Sequence, residues 1–257
     1  MKSNFKITFL GTGTSQGIPV INSTHPVCLS TDKRDKRLRV SVLVEWDDFT
    51  YVIDCGPDFR YQMLRAGVNR IDGILFTHEH SDHIIGLDDI RPFSFQLGKV
   101  PIYAQQRVLD NLKERFEYIF DEENKYPGVP SVQQNTVDSV PFKLQNIIVE
   151  PIEIQHGKLQ ILGYRFNDLA YLTDVKEILP SEMKKLKGLK VLVISALRNE
   201  KHHSHLSLSE ALEIIEELAP ERAYLTHISH KLGFHAEVQE SLPENVFLAY
   251  DELVVEV

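Results

Sequence analysis

Short apolar runs that end on glycine, aspartate or histidine recur along the chain, and their spacing predicts strands alternating with helices. Residues 7–10 form an apolar, β-prone run that breaks at Gly11-Thr12-Gly13-Thr14-Ser15. No Gly-Lys-Ser/Thr or GxGxxG pattern follows, so that glycine stretch reads as a tight turn rather than a phosphate cradle. Residues 40–44 and 51–54 read as a hairpin across Asp47-Asp48, with Asp54-Cys55-Gly56 closing its second strand. A helix is predicted over 59–66, with Gly67 as its C-terminal stop. Asp72-Gly73 opens the apolar strand 73–77, and residues 101–104 give another. Val108, Leu109, Leu112, Phe116, Ile119 and Phe120 then recur at helical spacing, a stripe read as core. Residues 121–141, rich in Pro, Asn and Gln, read as a loop.

In the second half, apolar strands each lead to a polar residue capable of chemistry. The strand 147–154 precedes Gln155-His156-Gly157, 169–173 ends in Asp174, and 222–226 ends in His227. After the strand 191–194 comes Arg198-Asn199-Glu200-Lys201-His202-His203-Ser204-His205, and then a helix with Ser207 as N-cap and Glu210 as its capping partner. Leu208, Ala211, Leu212, Ile215 and Leu218 fall on one face of that helix. Residues 246–257 read as strands that either stay within the fold or reach a partner, which leaves a homodimer open.

The strand 73–77 delivers Thr77-His78-Glu79-His80-Ser81-Asp82-His83, in which three histidines and an aspartate crowd together although the whole chain has only 11 histidines. Such a cluster points to metal. Neutral imidazoles suit zinc, iron or manganese, and a carboxylate hardens the set. If the strand direction persists, His78 and His80 point the same way, with Asp82 and His83 just past the turn.

Composition narrows the picture. With 257 residues and 42% hydrophobic content, the chain is long enough for one domain spanning 1–257 with a large core. Its net charge of −9 argues against a broad basic surface for nucleic acid. Cys28 and Cys55 are too few for a disulfide framework, the N-terminus shows no secretory pattern, and no run approaches a membrane span. A cytoplasmic, reduced protein is the expectation.

The pattern His78-x-His80-x-Asp82-His83 resembles the metal motif of the metallo-β-lactamase superfamily, which implies an α/β fold of the four-layer αββα sandwich type. Residues 11–17 resemble the opening of its phosphodiesterase branch, which includes tRNA 3′-processing endonucleases and cyclic-phosphate phosphodiesterases. Within that branch, Ala196-Leu197-Arg198 and Leu225-Thr226-His227-Ile228-Ser229-His230 look like the phosphoribosyl 1,2-cyclic phosphate phosphodiesterase group. The resemblance implies two divalent ions, zinc or manganese with iron also fitting. His78, His80 and His156 would hold one ion, Asp82, His83 and His227 the other, and Asp174 would bridge them. Asp54 would support the site without touching an ion. A hydroxide between the ions would attack a small, cyclic phosphodiester, with Asp82 and Asp174 orienting it and His205 as general acid, a role that an ordinary histidine pKa near 6.5 suits. His202 and Arg198 stand nearby as candidate phosphate contacts. The branch's tRNA endonucleases and the superfamily's thioesterases and lactamases are the alternatives. The group often has a Cys-x-Cys-x-x-Cys structural zinc site in the first loop; here Ser23, His25 and Cys28 occupy those positions, with His230 retained.

Overall fold

A computed structural model describes residues 5–257. In chain order the strands are β1 (Phe5–Gly11), β2 (Ser41–Trp46), β3 (Phe49–Ile53), β4 (Gly73–Leu75), β5 (Val100–Ala104), β6 (Val132–Thr136), β7 (Phe142–Leu144) and β8 (Ile147–His156). They continue with β9 (Leu159–Phe166), β10 (Leu169–Leu172), β11 (Glu177–Ile178), β12 (Val191–Ser195), β13 (Arg222–Thr226), β14 (Val246–Leu248) and β15 (Val254–Glu256). They fall into two sheets, each belonging to one of two compact units. This is the α/β, two-sheet composition expected of the sandwich class.

The first unit comprises the residues up to Leu10, Ser41–Asp138 and Val254–Glu256. Its sheet runs β15-β1-β2-β3-β4-β5-β6, antiparallel at β15/β1 and β2/β3 and parallel from β3 to β6. Parallel neighbours need crossover connections, and helices at Phe59–Ala66, Arg91–Leu97 and Gln106–Arg115 supply them. Phe59, Ile74, Ile102, Leu109 and Leu112 pack in one core cluster. The first of these helices has the predicted bounds, ended by Gly67 in left-handed backbone (φ 64°).

Two expectations fail in this unit. The helical stripe over 108–120 breaks at Phe116, whose φ of −125° leaves helix geometry while its ring stays buried, and a short second helix follows at Glu117–Phe120. The supposed loop 121–141 contains β6, which pairs along all of β5. Its sequence, Val-Gln-Gln-Asn-Thr, carries little apolar signal because it is an edge strand with most side chains outward.

The second unit comprises Gly11–Val40 and Ser139–Leu253 together with Val257. Its sheet runs β11-β8-β9-β10-β12-β13-β14, with β7 attached to β8. The β8-β9-β10 part is antiparallel and the β10-β12-β13-β14 part parallel. Ser207 caps the helix Leu208–Leu218 in a complete capping box with Glu210, and Ala211, Ile215 and Leu218 face the core as predicted. The C-terminal strands pair within the chain, β14 on β13 and β15 on β1. Asp54 and the histidine run follow the parallel strands β3 and β4, and Asp174 and His227 follow the parallel strands β10 and β13, at the carboxyl ends where α/β sheets place their chemistry; His156 instead ends the antiparallel strand β8.

A buried polar network ties the first loop of the second unit to its C-terminal part. The Arg37 guanidinium donates to Thr12 Oγ1 (2.8 Å), to the Ala249 carbonyl and to His235 Nδ1 (3.2 Å). A guanidinium only donates, so His235 must keep Nδ1 as an acceptor and remain neutral. Burial first, and then the Arg37 charge, push His235 down to about 4. An unfolded histidine binds its proton near 6.5, so between about pH 6.5 and 4 the unfolded chain holds more protons and stability falls as pH falls. The fall in unfolding midpoint of the metal-free protein from pH 7 to pH 4.5 is expected to be smaller in His235→Gln than in the parent chain. Identical pH slopes would refute this role.

Candidate metal centre

In the first unit one buried carboxylate organises the donors. Asp54 follows the end of β3 in left-handed backbone, φ 64°, with its side chain fully buried. It accepts hydrogen bonds from Thr77 N (2.8 Å), Thr77 Oγ1 (2.8 Å) and His83 Nδ1 (2.7 Å). Because a carboxylate accepts only, His83 carries its proton on Nδ1 and presents the Nε2 lone pair, 3.3 Å from Asp82 Oδ2. The Thr77 hydroxyl hydrogen is engaged in the bond to Asp54, so its oxygen accepts from His78 Nδ1 at 3.0 Å, and His78 presents Nε2 in turn. Two imidazoles thereby receive the tautomer that a metal ligand needs, as orienting partners behind metal-bound histidines usually arrange. Burial pushes the Asp54 carboxyl pKa up, while His83 and the Thr77 donors pull it back.

His78 Nε2 and His80 Nδ1 lie 2.9 Å apart, close enough to serve as neighbouring donors to one small cation. They do not continue a strand. The Thr77 N–H turns to Asp54 instead of the sheet, so β4 stops at Leu75; His80 caps a helical turn, Ser81–Ile84, that carries Asp82 and His83. Gly86 is required just beyond, since a Cβ there would sit 2.2 Å from the Gly56 carbonyl oxygen. Glu79 points to the Arg107 guanidinium.

In the second unit three imidazoles converge on one carboxylate oxygen. Asp174 Oδ1 lies 3.2 Å from His227 Nε2, 3.7 Å from His205 Nδ1 and 4.0 Å from His156 Nε2. Asp174 and His227 follow β10 and β13 in left-handed backbone, with φ of 57° and 54°. His156 is the last residue of β8, not a loop residue after it, because the strand runs two residues beyond its apolar part to pair with β9. Its Nδ1 donates to the Ser204 carbonyl (2.8 Å), which leaves the Nε2 lone pair toward Asp174. Such a set of imidazoles and a carboxylate, with lone pairs converging and little water access, fits a divalent cation.

The His205 ring lies against that of His156, tilted at 55° with 4.6 Å between ring centres, and stacks on that of His227 at 4.9 Å. Its backbone stands two residues before the Ser207 cap, and Leu206 N donates to the Val175 carbonyl at 2.7 Å. Burial, with His227 next, pushes His205 down to about 2 against the opposing pull of Asp174. The ordinary value near 6.5 therefore does not hold in this setting. His156, Asp174 and His205 also satisfy the spacing of a metal-binding triad, their donor atoms all within 4.8 Å of one another. His202 approaches the His205 ring at 5.1 Å, while Arg198 is turned onto its own loop, donating to the carbonyls of Glu200 and Lys201.

A threonine precedes each of three donors, Thr77-His78, Thr173-Asp174 and Thr226-His227, a repeat visible in the chain whose role only the folded contacts reveal. Thr173 Oγ1 donates to Asp174 Oδ2 at 2.7 Å, much as Thr77 serves Asp54. In the first loop, His25 Nδ1 accepts from Val27 N, Cys28 Sγ accepts from Val20 N at 3.5 Å, and the rings of His25 and His230 meet edge to face at 4.9 Å.

The two α/β units gather histidine and aspartate donors of the kind that hold divalent cations. A model of the Beta-lactamase superfamily domain matches residues 50–228. The crystal structure of a new diphosphatase from the PhnP family shares 41% identity, covers 99% of this chain and 97% of its own, and superposes with a TM-score of 0.93. An octanoyltransferase of Porphyromonas gingivalis is 41% identical over 247 residues, 95% of this chain but 50% of that relative. A ribonuclease Z of Bacillus mycoides is 27% identical over 165 residues, 62% of this chain and 48% of the relative. The chain thus spans about half the length of these curated relatives. It belongs to the metallo-β-lactamase superfamily and, within it, to the PhnP family.

Asp54→Asn keeps the side-chain shape but replaces one acceptor oxygen with an amide donor. Zinc affinity, measured by competition with a fluorescent chelator, is expected to fall about 10- to 100-fold with the fold retained. Undiminished affinity would show that the bracket around Thr77 and His83 does not order the donors.

Proposed function

We propose that the donors of the two units serve one dinuclear centre in a single working domain that hydrolyses a small phosphodiester or diphosphate ester. His78, His80 and His156 hold one ion, Asp82, His83 and His227 the other, and Asp174 bridges. The convergence of His227, His205 and His156 on Asp174 carries this reading. The ligand tautomers set by Asp54 and the Ser204 carbonyl support it, as does the likeness to a PhnP-family diphosphatase. Divalent zinc, manganese or iron held there supplies a water that ionises near neutral pH and offsets charge building on the phosphoryl oxygens.

The chain's own residues do the rest. Asp82 and Asp174 orient the attacking water, and the buried setting of Asp174 keeps competing solvent away. His205 hands a proton to the leaving oxygen from a loop fixed at both ends, its neutral ring gaining that proton only beside the charge of a bound phosphate. His202, whose ring centre is 5.1 Å from that of His205, contacts a second phosphate oxygen in this reading. The net charge of −9 favours a small substrate over pre-tRNA despite the ribonuclease Z relatives.

A second reading, in which His205 is itself a ligand, draws on its place in the triad with His156 and Asp174. Metal-loaded protein is expected to hold about two ions per chain, and Asp174→Ala to lose at least one of them, by elemental analysis. His205→Ala should keep its metal yet lose roughly 10²–10⁴-fold in kcat on an alkyl phosphodiester, with a much smaller loss on bis-p-nitrophenyl phosphate, whose leaving group departs without a proton. Loss of metal, or equal loss on both substrates, would assign His205 to the ligand set. Faster turnover of pre-tRNA than of either small ester would instead favour the endonuclease.

A further inference from the structure

We propose that the helix Gln106–Arg115 positions His80, with Arg107 as the residue that carries the effect through its ion pair with Glu79. The inference rests on His80 acting as a metal donor, the role given to it above. His80 needs such a hold more than its neighbours do. His78 is buried and tied through Nδ1 to the Thr77 hydroxyl, and His83 is buried and tied to Asp54. His80 is exposed, and it caps the turn Ser81–Ile84 without a side-chain hydrogen bond to that turn.

The residues on either side of His80 both reach the same helix. Glu79 Oε1 accepts from Arg107 Nη1, and Ser81 Oγ accepts from Arg115 Nη1 at 3.2 Å. Each guanidinium is aimed by a further bond: Arg107 Nη2 donates to Gln105 Oε1 at 3.2 Å, and Arg115 Nε donates to Asn111 Oδ1 at 2.7 Å. Positions 107, 111 and 115 recur every four residues and so share one side of the helix. Val108, Leu109 and Leu112 meanwhile bury in the core with Ile74 and Ile102, which makes the helix a fixed anchor.

Of the two braces, Arg107 is the stronger. Arg115 and Ser81 are both exposed, whereas only 18% of the Glu79 side chain is, and Glu79 Oε2 is enclosed with no hydrogen-bond partner among the described residues. Arg107 is therefore left to balance the carboxylate, since an enclosed charge without a counter-ion costs far more than a surface one. With Arg107 gone, Glu79 has to swing out to water or in toward the ions, and either movement turns the backbone that carries His80.

Charge alone predicts the opposite sign, which makes the test sharp. Arg107→Met removes a positive charge near divalent ions and would tighten them if Coulomb attraction were the only effect, whereas loss of the brace loosens the ion that His80 holds. Zinc titrated into the full chain against chelators of graded affinity is expected to show one of two binding steps weakened about three- to tenfold in Arg107→Met and largely restored in Arg107→Lys. Glu79→Gln should weaken the same step, and the double variant should lose no more than the worse of the two singles, because both changes break one contact. Tighter zinc in Arg107→Met, equal weakening of both steps, or losses that add in the double variant would each overturn the proposal. His80→Ala separates the brace from the donor assignment. Unchanged zinc binding in His80→Ala would remove His80 from the ligand set and the proposal with it, whereas loss of an ion there beside intact binding in Arg107→Met would remove the brace alone.

Discussion

Everything chemical in this chain depends on how three strands stop. Asp54, Asp174 and His227 each follow the last residue or two of a sheet strand, and each turns the backbone into the left-handed region, where a side chain with a Cβ sits at a cost of about 1–3 kcal/mol. The surroundings supply that cost. Asp54 is held by three donors, Asp174 by the Thr173 hydroxyl and the imidazoles around it, and His227 by close packing at the end of β13. Such a turn carries a polar side chain out of an apolar sheet and fixes its direction within a residue or two, which a flexible loop cannot do.

Burial makes the arrangement demanding. A carboxylate as enclosed as that of Asp54 would be costly alone, and two of the hydrogen bonds that relieve it, from the Thr77 hydroxyl and His83, also decide where a neighbouring imidazole keeps its proton. Structural satisfaction and ligand preparation are therefore the same contacts. The same economy holds at His156, where the bond to the Ser204 carbonyl both satisfies Nδ1 and aims Nε2.

Much of this was legible in the chain. The strands leading to Asp54, Asp174 and His227, the capped helix after Ser207 and the Gly67 stop follow from local periodicity and turn chemistry. The failures have physical reasons as well. β6 is a polar edge strand whose pairing comes from its neighbour β5, and nothing local marks it. The helix over 108–120 breaks at Phe116, whose backbone leaves helix geometry while its ring is buried in the core, a tertiary placement that local periodicity does not carry. That β4 ends early depends on Asp54, distant in sequence from Thr77, and that His205 loses its ordinary basicity depends first on its burial in the folded chain and then on His227. Spacing could nominate the donors; only packing could set their protonation.

The loop bearing His205 has a further consequence for how such a protein diversifies. Leu197 N bonds the Leu206 carbonyl and Leu208 N bonds the Arg198 carbonyl, pinching the loop shut at its base. Below the pinch, Leu206 is bonded to Val175, and the Lys176 ammonium reaches Glu210 of the capping box at 3.0 Å, so Asp174 and His205 stand on one fastened platform. Residues 199–203 lie beyond the pinch and carry exposed charge and imidazole. Insertions, deletions and side-chain changes there alter what the rim meets without moving the platform. Descendants of one ancestor can thus part company in the substrates they accept while inheriting an unaltered reaction, and the length and composition of this short arch are where their histories would be written.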